Sequence, residues 1–146
     1  MQPKFLILLV DDDPLLLEVV NRASRNSFQE ASFVQVYSAP EAKTYITALD
    51  SYGPKLILLD IDLGFNQSGF EFAAFMHLHP EGRFLPIVIL TMDQAPNNIG
   101  SAYRNGVSSY TVKPSSFEDW KSYFAHLRDY WFSTVTIPPV RFNKVA

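Results

Sequence analysis

What this chain can become is set first by three short stretches of unbroken apolar residues: Phe5-Leu-Ile-Leu-Leu-Val10, Leu56-Ile-Leu-Leu59 and Pro86-Ile-Val-Ile-Leu90. Each is too short to cross a membrane. A continuous run of this length is what a strand needs when both of its faces are covered. Phe33-Val-Gln-Val-Tyr37 and Tyr110-Thr-Val112 are shorter or more mixed, which suits strands nearer the sheet edges. Helical apolar spacing fills the gaps, over residues 14–27, 40–50, 68–79, 95–105 and 116–132. Leu15, Leu16, Val19, Val20 and Ala23 form the inner stripe of the first of these, and Pro14 suits its first turn. Gly106 reads as a helix stop and Gly53-Pro54 as a turn. Strand followed by helix, repeated along the chain, predicts an α/β domain with a parallel sheet, helices on both faces and right-handed crossovers.

At 146 residues, 47% apolar and 18% charged, the chain can bury a core. Its 12 basic and 15 acidic residues give a net charge of −3, which argues against a general nucleic-acid binder. The absence of cysteine removes disulfides, thiolate metal sites and a cysteine nucleophile. The first apolar run ends in Asp11-Asp12-Asp13 rather than in a cleavage site, so a cytoplasmic protein without membrane contact is expected. No composition break marks a second domain. Residues 1–132 read as one domain, and residues 133–146, with Pro138-Pro139, as a C-terminal tail packed on the domain or on a partner.

In an open parallel α/β sheet, ligands bind beyond the carboxyl ends of the strands. Asp11, Asp12 and Asp13 follow the first strand, Asp60 and Asp62 the third, Thr91 the fourth and Lys113 the fifth. One rim therefore collects carboxylates, a hydroxyl and an ammonium. Clustered carboxylates repel unless a cation neutralises them, and Mg2+ or Mn2+ prefers such oxygen ligands. A carboxylate can attack a phosphoryl group, and a metal and a lysine can stabilise the charge on the transferring oxygens. Asp13 has a plainer role as helix N-terminal charge. His77 and His79 are two apart and share no helix face, so they read as surface residues rather than metal ligands, and His126 reads as ordinary too.

With Leu8-Leu-Val-Asp-Asp-Asp-Pro14, Leu56-Ile-Leu-Leu-Asp60, Pro86-Ile-Val-Ile-Leu-Thr91 and Tyr110-Thr-Val-Lys-Pro114 in this order, the chain resembles the receiver domain of bacterial two-component response regulators, over residues 4–132. The resemblance implies a flavodoxin-like (βα)5 doubly wound sandwich with a five-stranded parallel sheet in the order 2-1-3-4-5. It implies that Asp60 accepts a phosphoryl group from a sensor or hybrid histidine kinase, and that Asp11, Asp12, Asp60 and the backbone carbonyl of Asp62 hold Mg2+ or Mn2+. It further implies that Thr91 and Lys113 bind the phosphoryl group, that Tyr110 changes rotamer with Thr91, and that the Lys113–Pro114 bond is cis. Such a protein is not an enzyme acting on a separate substrate.

The chain departs from the family at Met92, where a small residue is usual and a larger one shades the pocket. The loop from Ile61 to Gly69 lacks the usual proline and is one residue longer. On the last helix Trp120, Phe124, Leu127 and Trp131 form the core stripe, leaving Tyr123 and Tyr130, with Tyr103 of the fourth helix, as a partner surface. Receivers commonly pair through the fourth helix, fifth strand and fifth helix, so a homodimer through this face is expected. The ending Tyr130-Trp-Phe-Ser-Thr-Val-Thr-Ile-Pro-Pro139 resembles the tails of stand-alone regulators that partner phytochrome-type or hybrid kinases. The expected function is a stand-alone switch with a downstream protein partner. The alternatives are a degenerate receiver that only binds a partner, supported by Met92 and the unusual loop after Asp60, and a haloacid-dehalogenase-type phosphatase. Asp60-Ile-Asp62 suggests the latter, but no acid pair follows Lys113.

Overall fold

The computed structural model describes residues 4–65 and 67–144, so Asn66 and the last two residues of the tail lie outside the described residues. Strands and helices alternate: β1 (Phe5–Val10), α1 (Leu16–Ser27), β2 (Ala31–Val36), α2 (Ala39–Thr47), β3 (Leu56–Leu59), α3 (Gly69–Leu78), β4 (Ile87–Thr91), α4 (Pro96–Arg104), β5 (Ser109–Val112) and α5 (Phe117–Leu127). All strand pairs are parallel, and the order is β2-β1-β3-β4-β5, which is the expected flavodoxin-like sheet. Sequence reading misses a 3-10 turn at Gly82–Phe84, and the end of the helix expected over residues 116–132 is a π-helical turn, Arg128–Phe132, that extends α5.

Side-chain alternation divides the core. Leu8, Val10, Ile57, Leu59, Ile87 and Ile89 face α2, α3 and α4, while Ile7, Leu9, Leu56, Leu58, Val88 and Leu90 face α1 and α5. The central strands are therefore apolar on both sides, and each such side chain contributes about 1.5–3 kcal/mol by leaving water. The α5 stripe of Trp120, Phe124 and Leu127 is buried as its spacing predicts.

Serine caps start three helices. Ser38, Ser68 and Ser116 accept from the N–H groups of Glu41, Phe70 and Asp119, each satisfying a donor that the helix leaves open. Helix α1 begins later than its apolar pattern suggests. The Asp13 carboxylate accepts from Leu15 N–H at 2.9 Å and holds Pro14 and Leu15 in a turn, which leaves Leu15 exposed.

The tail crosses the amino-terminal ends of the strands, away from the rim that carries the carboxylates. Ile137 packs on the α1/α5 side, while Val140 and Phe142 are buried on the other. Phe142 N–H donates to the Ser51 carbonyl at 2.9 Å, and Arg141 bridges antiparallel to Tyr52. At the end of α5, Arg128 donates two hydrogen bonds, each 2.8 Å, to Glu30. These hold the Glu30 carboxyl down at about 2, against its ordinary 4.5. Among the described residues no helix is long and apolar enough to cross a membrane.

Candidate functional site

Parallel pairing brings the carboxyl ends of β1, β3, β4 and β5 to one edge, and the expected residues meet there. Asp60 leaves β3 almost fully buried, 6% exposed, beside Asp11 at 2% and Thr91 at 1%. Burial of charged groups at this depth requires partners, and each is present. Lys113 Nζ lies 2.7 Å from Asp11 Oδ2 and 3.0 Å from Asp60 Oδ2. The Thr91 hydroxyl donates to Asp60 Oδ1 at 2.7 Å, and Asp62 N–H donates to the same oxygen at 3.1 Å. Burial pushes the Asp11 carboxyl up, more than its bonds from Lys113 and the Asp13 amide pull it down. Burial would lower Lys113, but Asp11 and Asp60 outweigh it and hold the ammonium above its usual value.

Over Asp60 opens a cavity of about 450 Å³ lined by Asp12, Asp60, Asp62, Gly64, Thr91, Met92 and Asp93. Asp11, Asp12 and Asp60 each offer an oxygen within 4.8 Å of the others. Among the described residues the Asp12 carboxylate has no hydrogen-bond or ion-pair partner, whereas those of Asp11 and Asp60 are engaged. A free carboxylate facing two anchored ones is a donor set that fits a hard divalent cation. The Asp62 carboxylate folds back to accept from Gly64 N–H at 3.1 Å.

Two glycines let the β3–α3 loop close over this site. A Cβ at Gly69 would lie 2.2 Å from the Asp60 carbonyl oxygen. A Cβ at Gly64, whose φ is +72°, would lie 2.9 Å from Asp12 Oδ2.

The structure corrects three expectations. Tyr123 is not on an exposed face. It packs against the core, its hydroxyl lies 2.9 Å from that of Thr111, and burial pushes its phenol up to about 12. Helical spacing places Tyr123 off the inner stripe, but the Thr111 hydroxyl on β5 supplies the polar partner that lets the ring turn inward. Tyr103 and Tyr130 remain half exposed. Second, Lys113–Pro114 is trans, as is every described peptide bond, which is the isomer X–Pro bonds favour by about 0.5–1 kcal/mol. Third, His79 is half-buried rather than an ordinary surface residue. Its Nδ1 accepts from Gly82 N–H at 2.9 Å, and its ring lies against Phe75 and Phe142.

Met92 lines the cavity and is 67% exposed. Tyr110 donates to the Asp93 carbonyl at 2.6 Å, and burial and the neighbouring Asp93 and Asp60 raise its phenol. Sequence reading missed Asp93 and Gln35. The Asp93 carboxylate accepts from Ala95 N–H at 2.8 Å and Asn98 Nδ2 at 2.6 Å. An acid just ahead of the Pro96 helix start was the available cue. Gln35 Nε2 donates to the carbonyls of Asp11 and Asp13, each at 2.8 Å.

Comparison with known proteins agrees with this geometry. Residues 7–124 match the response regulator receiver domain. A probable methanogenesis regulatory protein, FilR2 of Methanothrix harundinacea, is 29% identical over 87% of this chain and 83% of its own length. The response regulator Rcp1 of Synechocystis is 25% identical over 93% of this chain and 95% of its own. The phosphorylated cyanobacterial phytochrome response regulator RcpA superposes with a TM-score of 0.83 at 26% identity, covering 92% of this chain and 99% of that one. The Mn2+-bound form of Rcp1 gives a TM-score of 0.79 at 26% identity, over 93% and 99%. The chain belongs to the response regulator receiver domain family.

Proposed function

We propose that the chain is a phosphoacceptor switch whose acceptor is Asp60. The observation that carries this reading is the placement of Asp60 at the floor of an open acidic cavity, with Lys113 on one carboxylate oxygen and Thr91 on the other. Asp60 attacks a phosphoryl group carried on a histidine of a sensor or hybrid kinase. An O–P bond to Asp60 forms, the P–N bond breaks, and the imidazole leaves with that electron pair and takes up a proton. Mg2+ held by Asp11, Asp12, Asp60 and the Asp62 carbonyl would neutralise the phosphoryl oxygens. Lys113 is within reach of an added phosphoryl group, and Thr91 can re-aim its hydroxyl from the carboxylate to a phosphoryl oxygen.

Thr91 also connects the site to its surroundings. Asp93 N–H lies 3.4 Å from the Thr91 hydroxyl oxygen, and the Asp93 carbonyl holds Tyr110. Rotation of Thr91 would bias this loop and α4, and so the surface of α4, β5 and α5, where Tyr103 of α4 and Val112 of β5 are exposed, as is Tyr130 just beyond α5. We assign that surface to output, as a contact with a downstream protein or a second copy. The chain acts in the cytoplasm on no separate substrate. The degenerate-receiver alternative rests on Met92 and the unusual loop after Asp60, and the Met92 side chain is largely exposed to solvent.

Incubation with acetyl phosphate, with and without Mg2+, followed by intact mass tests the reading. Wild type should gain one phosphoryl group only with Mg2+, and Asp60→Ala should gain none. Equal labelling of Asp60→Ala would overturn the assignment.

A further inference from the structure

We infer that Gln35 is a positioning residue for the cation-binding turn, clamping the backbone on either side of Asp12 so that the Asp12 carboxylate faces the cavity. The inference rests on the cation role given to Asp12 above. Gln35 pairs with Leu9 near the end of β2, so it stands beside the chain as β1 runs into Asp11. Both amide protons are used, one on the Asp11 carbonyl and one on the Asp13 carbonyl, each at 2.8 Å. Those carbonyls bracket Asp12. Two acceptors facing one amide fix its orientation, because the amide oxygen would repel both.

The rest of the amide shows what this arrangement costs. Gln35 Oε1 is buried and has no partner among the described residues. An orphaned acceptor is unfavourable and needs a reason, and the double donation from Nε2 supplies it. Other bonds complete the turn. Asp11 N–H donates to the Val36 carbonyl at 3.1 Å, and Asp13 N–H donates to Asp11 Oδ1 at 2.9 Å. From the far side the loop passes close at Gly64, where a Cβ would lie 2.9 Å from Asp12 Oδ2. The backbone under Asp12 is thus tied to β2 at Val36 and Gln35, while its carboxylate has no partner among the described residues. Groups that orient a metal ligand without touching the metal typically change affinity by about 10–100-fold when removed.

The test is Mn2+ titration followed by electron paramagnetic resonance, on wild type, Gln35→Met and Gln35→Asn, with circular dichroism as a check on folding. Gln35→Met keeps the volume and removes both donors, and it should bind Mn2+ about tenfold more weakly or worse. Hydrogen exchange should quicken at the Asp13 and Leu15 amides and stay unchanged at Leu8 in β1. A role in stability alone would lower the melting temperature without moving the Mn2+ Kd of the folded protein. If Gln35→Met does not fold, Gln35→Asn carries the same expectation, since it is one methylene too short to bridge both carbonyls. Wild-type Kd in the folded variant, or unchanged exchange at Asp13, overturns the role of Gln35 and leaves the cation site standing. Failure of wild type itself to bind Mn2+ overturns both.

Discussion

Lys113 stands between two buried carboxylates, and its side chain is only 14% exposed. Removing it leaves Asp11 and Asp60 facing each other without a cation. Breaking a buried pair in this way typically costs about 3–5 kcal/mol. Lys113→Ala should therefore lose about 3 kcal/mol of unfolding free energy by urea denaturation, and added Mg2+ should raise its melting temperature more than that of wild type. A loss below about 1 kcal/mol, the range of a surface pair, would show that the ammonium is not the neutralising group. Met92 contrasts with it. Largely exposed, Met92→Ala should change stability by less than about 0.5 kcal/mol. If Met92 shades the cavity, the same variant should take phosphoryl from acetyl phosphate faster, and equal rates would remove that role.

At the scale of elements, the β4–α4 connection is knit by Asp93, which holds Ala95, Asn98 and Tyr110 at once. Asp93→Ala removes side-chain acceptors from the first turn of α4 and should cost about 1 kcal/mol, with α4 amides exchanging faster than those of α5. Uniform exchange across both helices would contradict a local role. The elements also show what could be read in advance. Buried strands leave continuous apolar runs, so β1 and β3 stand where Phe5–Val10 and Leu56–Leu59 put them. Strand β2 starts earlier than its apolar run because Ala31 and Ser32 pair with Phe5 and Leu6 without being strongly apolar. Asp60, Thr91 and Lys113 were legible because parallel strands deliver their carboxyl ends to one rim. Gln35 was not, since its role arises from contacts across 24 and 22 positions in sequence. Tyr123 was misread because periodicity gives a helix face but not the Thr111 hydroxyl waiting on β5.

Across the whole molecule, chemistry and fastening occupy opposite ends of the sheet. Phe142 is 1% exposed and sits against Gly53, where a Cβ would lie 2.7 Å from its ring. Phe142→Ala should cost about 3 kcal/mol while leaving the labelling of Asp60 unchanged, measured by denaturation and intact mass. The Glu30–Arg128 pair fastens the end of α5 to the start of β2. Because the folded Glu30 carboxyl lies at about 2 against 4.5, its stabilisation is complete above pH 4.5 and fades as pH falls toward 2. Glu30→Gln should therefore lose stability relative to wild type at pH 6, with the gap closing through that window. A gap that stays constant down to pH 2 would contradict it.

The cavity is ringed by several carboxylates, and only Asp60 is proposed to take the phosphoryl group. The direct measurement is to trap the acyl phosphate with borohydride after acetyl phosphate treatment and locate the reduced residue by tandem mass spectrometry. Asp60 alone should be reduced, in a Mg2+-dependent manner. Reduction at Asp12, Asp62 or Asp93, or at no aspartate in folded protein, would contradict Asp60 as the phosphoryl acceptor.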